Sequence, residues 1–357
     1  MGLRSKGSDL LLAAGFIRPA VLLRGLAMRR PDLSRLPIAV VLGVTGLIAE
    51  PIAWLQWILF GRRLRRLRLP RDPVVVIGHW RSGTTFLHQL LACDPGAATA
   101  RNRLTMAPHV ALILKPLIRG ILPYVMTSIR PIDHVPWSAD DPQEDEIGLA
   151  RLTIETNMAG IAFPRLYRRC FHQFVLNHSA EFEQKLLDFS RLTWLEDGRG
   201  KRHLLIKNSA HSARIPLLLR LFPEVRFILL KREPKDSIRS LVQVKQELAA
   251  LVGLQELPDE LTQVEETFYS YVELMQAFEA SRHLIPSGQL AELTYEELCE
   301  SPLESLERIY KDLGLTSWEE AHHPLAQRVQ QASSYRPRPV TLQRRSDDVL
   351  QALLATG

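Results

Sequence analysis

The chain has 357 residues, 46% of them hydrophobic and 24% charged, a balance that excludes a disordered or collagen-like polymer and allows one large α/β domain with appendages. Its three cysteines, Cys93, Cys170 and Cys299, are too few and too widely spaced for a disulfide framework or a zinc site, which points to a reducing, cytosol-facing compartment. The net charge of +6 does not mark a nucleic-acid partner: residues 1–72 hold 13 Lys and Arg against 4 Asp and Glu, a local net of +9 that leaves the rest of the chain at −3.

Two apolar stretches lie in that basic region. Residues 10–28 are punctuated by Arg18 and Arg24, and the run Leu36–Phe60 is followed at once by Arg62, Arg63, Arg65, Arg66 and Arg68. Basic residues beside an apolar segment suit anionic lipid headgroups. Gly43, Gly46 and above all Glu50-Pro51 divide the longer run into halves too short to span a bilayer. Arginines flank both ends, Arg29, Arg30 and Arg35 before the run and the cluster after it. The expectation is a re-entrant hairpin or interfacial helices on the cytoplasmic face of a membrane, not a cleaved signal peptide. The plainer alternative is a pair of helices packed on the protein's own core.

A different kind of sequence begins after Asp72. Val74-Val75-Val76-Ile77 reads as a strand buried on both faces, and Gly78-His79-Trp80-Arg81-Ser82-Gly83-Thr84-Thr85 leads from it into a helical pattern through Phe86, Leu87, Leu90 and Leu91. The G-x-x-x-x-G spacing is that of a phosphate-cradling P-loop. Where a nucleoside-triphosphate loop has Gly-Lys-Ser/Thr, this chain has Gly83-Thr84-Thr85, and its cation, Arg81, stands before the second glycine. A triphosphate is therefore a poor ligand. A 5′-phosphate carrying a transferable group, with no obligatory metal, fits better. A P-loop kinase, which needs the missing lysine and an aspartate for magnesium, and a non-catalytic membrane-bound nucleotide-binding protein are the competing readings.

Residues 104–195 carry no clear strand and read as a helical insertion; within it lies the acidic run Asp140-Asp141-Pro142-Gln143-Glu144-Asp145-Glu146. Further strands are predicted at 203–206, 225–230 and 289–294. The first ends in Lys207-Asn208-Ser209. The second, VRFILL, is followed by Lys231-Arg232-Glu233-Pro234 and a helix through Ser237 and Ser240, with Pro234 suited to its first turn. Arg232 and Ser240 are eight residues apart, a little over two helical turns, so both side chains can share one face. After the last strand, Ser301 and Glu304 have capping-box spacing, and Gly314 suits the end of the helix that they open. Strands separated by helices predict an α/β fold: a P-loop-like parallel sheet covered by helices on both faces, ligands at the carboxyl ends of the strands.

The segments Gly78–Leu91 and Val225–Ser240 resemble the sulfotransferase superfamily, in its bacterial and Golgi-type branch, over roughly residues 73–340. His203–Ser209 and Gln289–Leu298 resemble that family's strand-Lys unit and its late strand. The resemblance implies transfer of a sulfuryl group from 3′-phosphoadenosine-5′-phosphosulfate (PAPS), the co-substrate, to a hydroxyl or amine of an acceptor, a membrane lipid or lipid-linked molecule among those compatible with a membrane surface. It implies that Arg81, Ser82, Gly83, Thr84 and Thr85 hold the 5′-phosphosulfate, that Arg232 and Ser240 hold the 3′-phosphate, and that Lys207 is a second catalytic cation. Golgi-type relatives place a carboxylate shortly after the first helix, but here that stretch is Ala100-Arg101-Asn102-Arg103. The acidic run resembles a D-x-P-Q-E-D-E segment of bacterial members and makes Glu144 or Asp145 the candidate base, with His109 and His134 as alternatives. Asp141 with Glu144 also has the spacing of a helix cap. The domain division that follows is 1–72 for the membrane-associated segment, 73–345 for the sulfotransferase domain with 104–195 its acceptor-side insertion, and 346–357 for a tail.

Overall fold

The computed structural model describes residues 15–125, 138–332 and 340–356. The elements used below are, in chain order, α1 (Pro19–Met28), α2 (Leu36–Arg66), β1 (Val74–Ile77), α3 (Thr84–Leu91), β2 (Ala97–Thr99), α4 (Asp145–Leu149) and β3 (His203–Lys207). They continue with β4 (Arg226–Lys231), α5 (Pro234–Val252), α6 (Glu260–Arg282), β5 (Leu290–Thr294), α7 (Tyr295–Glu300), α8 (Pro302–Asp312), α9 (Trp318–Ala332) and α10 (Arg344–Thr356). Two compact units result, one from residues 1–68, 100–196 and 244–258, the other from 69–99, 197–243 and 259–357.

The second unit holds a five-stranded sheet of order β2-β3-β1-β4-β5 in which each neighbouring pair is parallel. Alternate residues of the strands face opposite sides. On one side Val74, Val76, Leu205, Ile228, Leu230 and Leu293 form a core with Leu87 and Leu90 of α3, Leu306 and Ile309 of α8 and Leu325 of α9. On the other, Val75, Ile77, Phe227 and Leu229 are fully buried as well. That double burial is why these strands read as unbroken apolar runs. The expected α/β architecture is therefore present, with one strand more than the sequence reading had: β2 is Ala97-Ala98-Thr99, whose alanines carry no strand signal and which exists by pairing with His203–Leu205.

Two capping expectations need correction. Ser301 precedes α8 but makes no side-chain cap; the capping box belongs to α7, where Thr294 Oγ1 accepts from Glu297 N and the Glu297 carboxylate accepts from Thr294 N. Thr294 closes β5 and so has the extended backbone that an N-cap needs. Gly314 does end α8, in the left-handed conformation with φ 61°. Residues 344–356, whose end was read as a tail, form α10, and its Leu350 is buried with Ile238, Val242, Val264 and Phe268.

In the first unit, α2 runs unbroken for 31 residues through Pro51. The proline ring costs one intrahelical hydrogen bond, but Ala49 and Ala53 on either side of it pack together on Ala107 and Val110 and hold the helix in register. The division into two short halves is thereby corrected: α2 is one helix long and apolar enough, by length and composition, to cross a membrane. It also packs on its own unit, with Leu42 against Leu22 of α1 and against Ile161 and Phe163.

Candidate functional site

In the sheet unit, β1 feeds the loop Gly78–Gly83 and then α3, and the neighbouring strand ends are in step: Ile77 stands opposite Leu229, and Val76 opposite Lys207. Connections leave β1 towards β3 and β2 but leave β4 towards β5. The crevice at such a divergence is where open α/β sheets bind ligands.

The loop is packed so closely that its glycines leave no room for side chains. A side chain at Gly78, φ +130°, would place its Cβ 2.3 Å from the Leu230 carbonyl oxygen, and one at Gly83, φ +95°, would place it 2.3 Å from the Tyr295 ring. Only glycine satisfies both the backbone and the space. Arg81 is itself left-handed at φ 68°, a conformation that a long side chain adopts only where its surroundings impose it. Ser82 Oγ donates to the His79 carbonyl at 2.7 Å, and Gly78 N donates to Ser212 Oγ at 3.0 Å, which ties the loop to the segment after β3. Thr84 and Thr85 open α3, so its free N–H groups face the loop end.

The basic residues at the strand ends converge. Arg81 Nε donates to Ser240 Oγ at 2.9 Å, and the Arg232 guanidinium donates to the Arg81 carbonyl at 3.0 Å. Arg232 also lies 4.6 Å over the Tyr295 ring and 3.9 Å from Asp236. The two residue sets expected to grip opposite phosphates are thus hydrogen-bonded to each other. Lys207, at the end of β3, is buried on the same sheet side as Val76 and Leu205. Buried polar atoms near these strand ends without a hydrogen-bond partner include Arg232 Nε, Ser209 Oγ and, in the first turn of α5, Ser237 Oγ. Buried polar atoms ordinarily find partners. Orphans beside paired arginines fit a ligand rich in acceptor oxygens, such as a nucleotide bisphosphate.

His79 is not a phosphate cation. Burial pushes its imidazole down to about 3, against the Tyr271 ring at 4.7 Å, so it is neutral at physiological pH. Tyr295 and Ser212 escaped the sequence reading. The signal for Tyr295 was its place directly after a predicted strand; Ser212 had none.

The other candidates lie in the helical unit. Residues 100–103 run beside 139–143: Arg101 bridges Pro142, Asn102 N donates to the Asp141 carbonyl at 3.0 Å, and Gln143 N donates to the Ala100 carbonyl at 2.8 Å. The acidic run therefore flanks the stretch that lacks a carboxylate of its own. Asp141 does not cap α4: its carboxylate accepts from Ser138 N at 2.7 Å, and Glu144, at the N-cap position, makes no side-chain cap bond. Glu146 is buried and accepts from Asn157 N at 2.5 Å, a structural role, whereas Asp145 is buried at the first turn and Glu144 is half-buried. His109 is buried, and burial together with nearby Arg18 lowers it to about 4, making it a weak base. His134 lies outside the described residues.

A parallel sheet with a glycine loop and paired arginines at the carboxyl ends of its strands defines an α/β protein with a loop of the kind that cradles phosphates. The chain belongs to the sulfotransferase family, whose profile matches residues 73–320. The omega-hydroxy-beta-dihydromenaquinone-9 sulfotransferase Stf3 of Mycobacterium bovis is 29% identical over 296 residues, 80% of this chain and 74% of that protein; the same comparison holds for Stf3 of Mycobacterium tuberculosis. Among solved structures, the sulfotransferase STF9 of Mycobacterium avium aligns with a TM-score of 0.67 at 17% identity, over 96% of this chain and 95% of its own. STF1 of Mycobacterium tuberculosis aligns with a TM-score of 0.57 at 15% identity, over 100% and 94%. The resemblance carried by Gly78–Leu91 and Val225–Ser240 is borne out, and the protein is a sulfotransferase.

Proposed function

We propose that the protein transfers a sulfuryl group from PAPS to a hydroxyl of a lipid or lipid-linked acceptor at the cytoplasmic face of a membrane. The observation that carries the donor half is the Gly78–Thr85 loop hydrogen-bonded through Arg81 to Ser240 and Arg232. The acceptor half is supported by the likeness to a sulfotransferase named for a menaquinone-derived substrate, and by the long apolar helix α2 near the N-terminus. PAPS, when bound, supplies an activated sulfuryl group on a phosphate leaving group.

In this reading the loop amides, Ser82, Thr84 and Thr85 hold the 5′-phosphosulfate, with Arg81 compensating its charge. Arg232 and Ser240 hold the 3′-phosphate. Lys207 places a positive charge where charge grows on the departing oxygen. Glu144 or Asp145 accepts the proton of the attacking hydroxyl, so that the new S–O bond forms as the old one breaks and the proton ends on the carboxylate. A cytosol-facing site meets a donor made in the cytosol without a transporter.

The donor assignment is tested by calorimetry with adenosine 3′,5′-bisphosphate. Arg232→Ala should weaken binding by about 1.5–3 kcal/mol, the increment of a charge-assisted hydrogen bond, while the protein stays folded. Unchanged affinity in a folded variant would remove Arg232 from the site.

A further inference from the structure

The helix α2 is turned inside out. Val40, Val44, Ile48, Leu55, Ile58 and Leu59 are each between 46% and 64% exposed and follow one another at helical spacings of three, four and seven, so they form one apolar stripe along the outer face. Within the apolar run Leu36–Phe60 the polar groups look inward. Glu50 is paired with Arg18, and Gln56 Nε2 donates to the Pro108 carbonyl at 2.9 Å while its Oε1 accepts from Leu112 N at 2.8 Å. Gly46 approaches so closely that a Cβ there would lie 2.3 Å from the Ile17 carbonyl oxygen. A water-facing helix has the opposite arrangement.

We propose that α2 lies in the plane of a bilayer containing anionic lipid, with this stripe sunk into one leaflet, and does not cross it. The chemistry of the partner follows from what adjoins the stripe. Arg62, Arg63, Arg65, Arg66 and Arg68 are all exposed at the end of the helix, which complements anionic headgroups. Trp54 and Trp57 stand edge to face at 6.3 Å, and Arg65 lies 5.8 Å over Trp57, the aromatic and cationic mixture that sits at a headgroup boundary. Crossing would demand much more. The start of the helix is held by Arg35, ion-paired with Glu256 at 2.9 Å. Glu50 and Gln56 would have to leave their partners and enter hydrocarbon, where an unpaired carboxylate is costly. Lying flat requires no contact to break.

This inference rests on the membrane part of the proposed function and not on the donor part, and its test reads no catalysis. Nitroxide labels are placed at Val40→Cys, Ile48→Cys and Leu59→Cys in the full chain with Cys93 and Cys299 replaced by alanine, on vesicles of phosphatidylcholine and phosphatidylglycerol. Power saturation with oxygen and a polar relaxant then gives the depth of each label. The expected result is a common depth in one leaflet, about 5–10 Å into the headgroup and acyl boundary, with binding roughly tenfold weaker when phosphatidylglycerol is omitted. Ile48 near the bilayer centre with Val40 and Leu59 in opposite leaflets would overturn the proposal, as would full access of the polar relaxant to all three labels. Labels shielded without vesicles in a sedimenting dimer would assign the stripe to a second copy instead, and equal binding to neutral vesicles would contradict the anionic requirement. Adenosine bisphosphate titrated into the same labelled proteins shows separately whether the donor site is intact.

Discussion

Replacing the carboxylate proposed to activate the acceptor is expected to lower turnover by at least about 100-fold with donor affinity unchanged, the loss usual for a general base. The two variants are Glu144→Gln and Asp145→Asn, assayed for rate at saturating donor and for adenosine bisphosphate binding. One of them should show the loss. The geometry weakens the competing explanation: Asp141, the partner that helix capping requires, is turned to Ser138 N, and Glu144 makes no cap bond. A structural role would instead lower the melting temperature of both variants and leave their rates alone, and that outcome would remove the cluster from the reaction. His109 would be a poor replacement, since an imidazole lowered to about 4 by burial takes a proton weakly.

Lys207→Met is expected to lower turnover by roughly 100- to 1,000-fold, the scale found when one preorganised stabiliser of developing charge is removed. Methionine keeps the buried aliphatic length of this side chain, so the sheet should stay folded. Donor affinity should change much less than the rate, because in the proposed role the charge that Lys207 answers grows during transfer. Steady-state rates together with calorimetry separate the two. Equal losses in affinity and rate would make Lys207 a ground-state phosphate ligand, and no loss in either would leave it a buried strand-end lysine.

How far the sequence disclosed this site depended on which physical signal each residue leaves. Val74–Thr85 was legible because a strand buried on both faces is a continuous apolar run and because the loop demands glycine at two backbone positions. Arg232 and Ser240 were legible through the resemblance of Val225–Ser240 to the sulfotransferase family, with a spacing that lets both side chains share one face. Tyr295 was not, because its contacts with Gly83 and Arg232 join residues more than 60 positions apart. β2 was lost because alanine has no preference for strands. At Pro51 the local rule that proline ends a helix was overridden by packing on both sides of it. The pairing of residues 100–103 with 139–143 is likewise tertiary, and it explains how a stretch without a carboxylate can have an acidic neighbour.

The central claim is transfer of a sulfuryl group from PAPS, and its most direct test is incubation of the full-length protein in lipid vesicles with sulfur-labelled PAPS, menaquinone-type and other hydroxylated lipids, and EDTA. Labelled sulfate should appear on an extractable lipid, with stoichiometric release of adenosine bisphosphate and with no loss of rate in the chelator. Product formation from labelled ATP and magnesium, with PAPS inert across hydroxylated lipids, glycans and small molecules alike, would contradict the account.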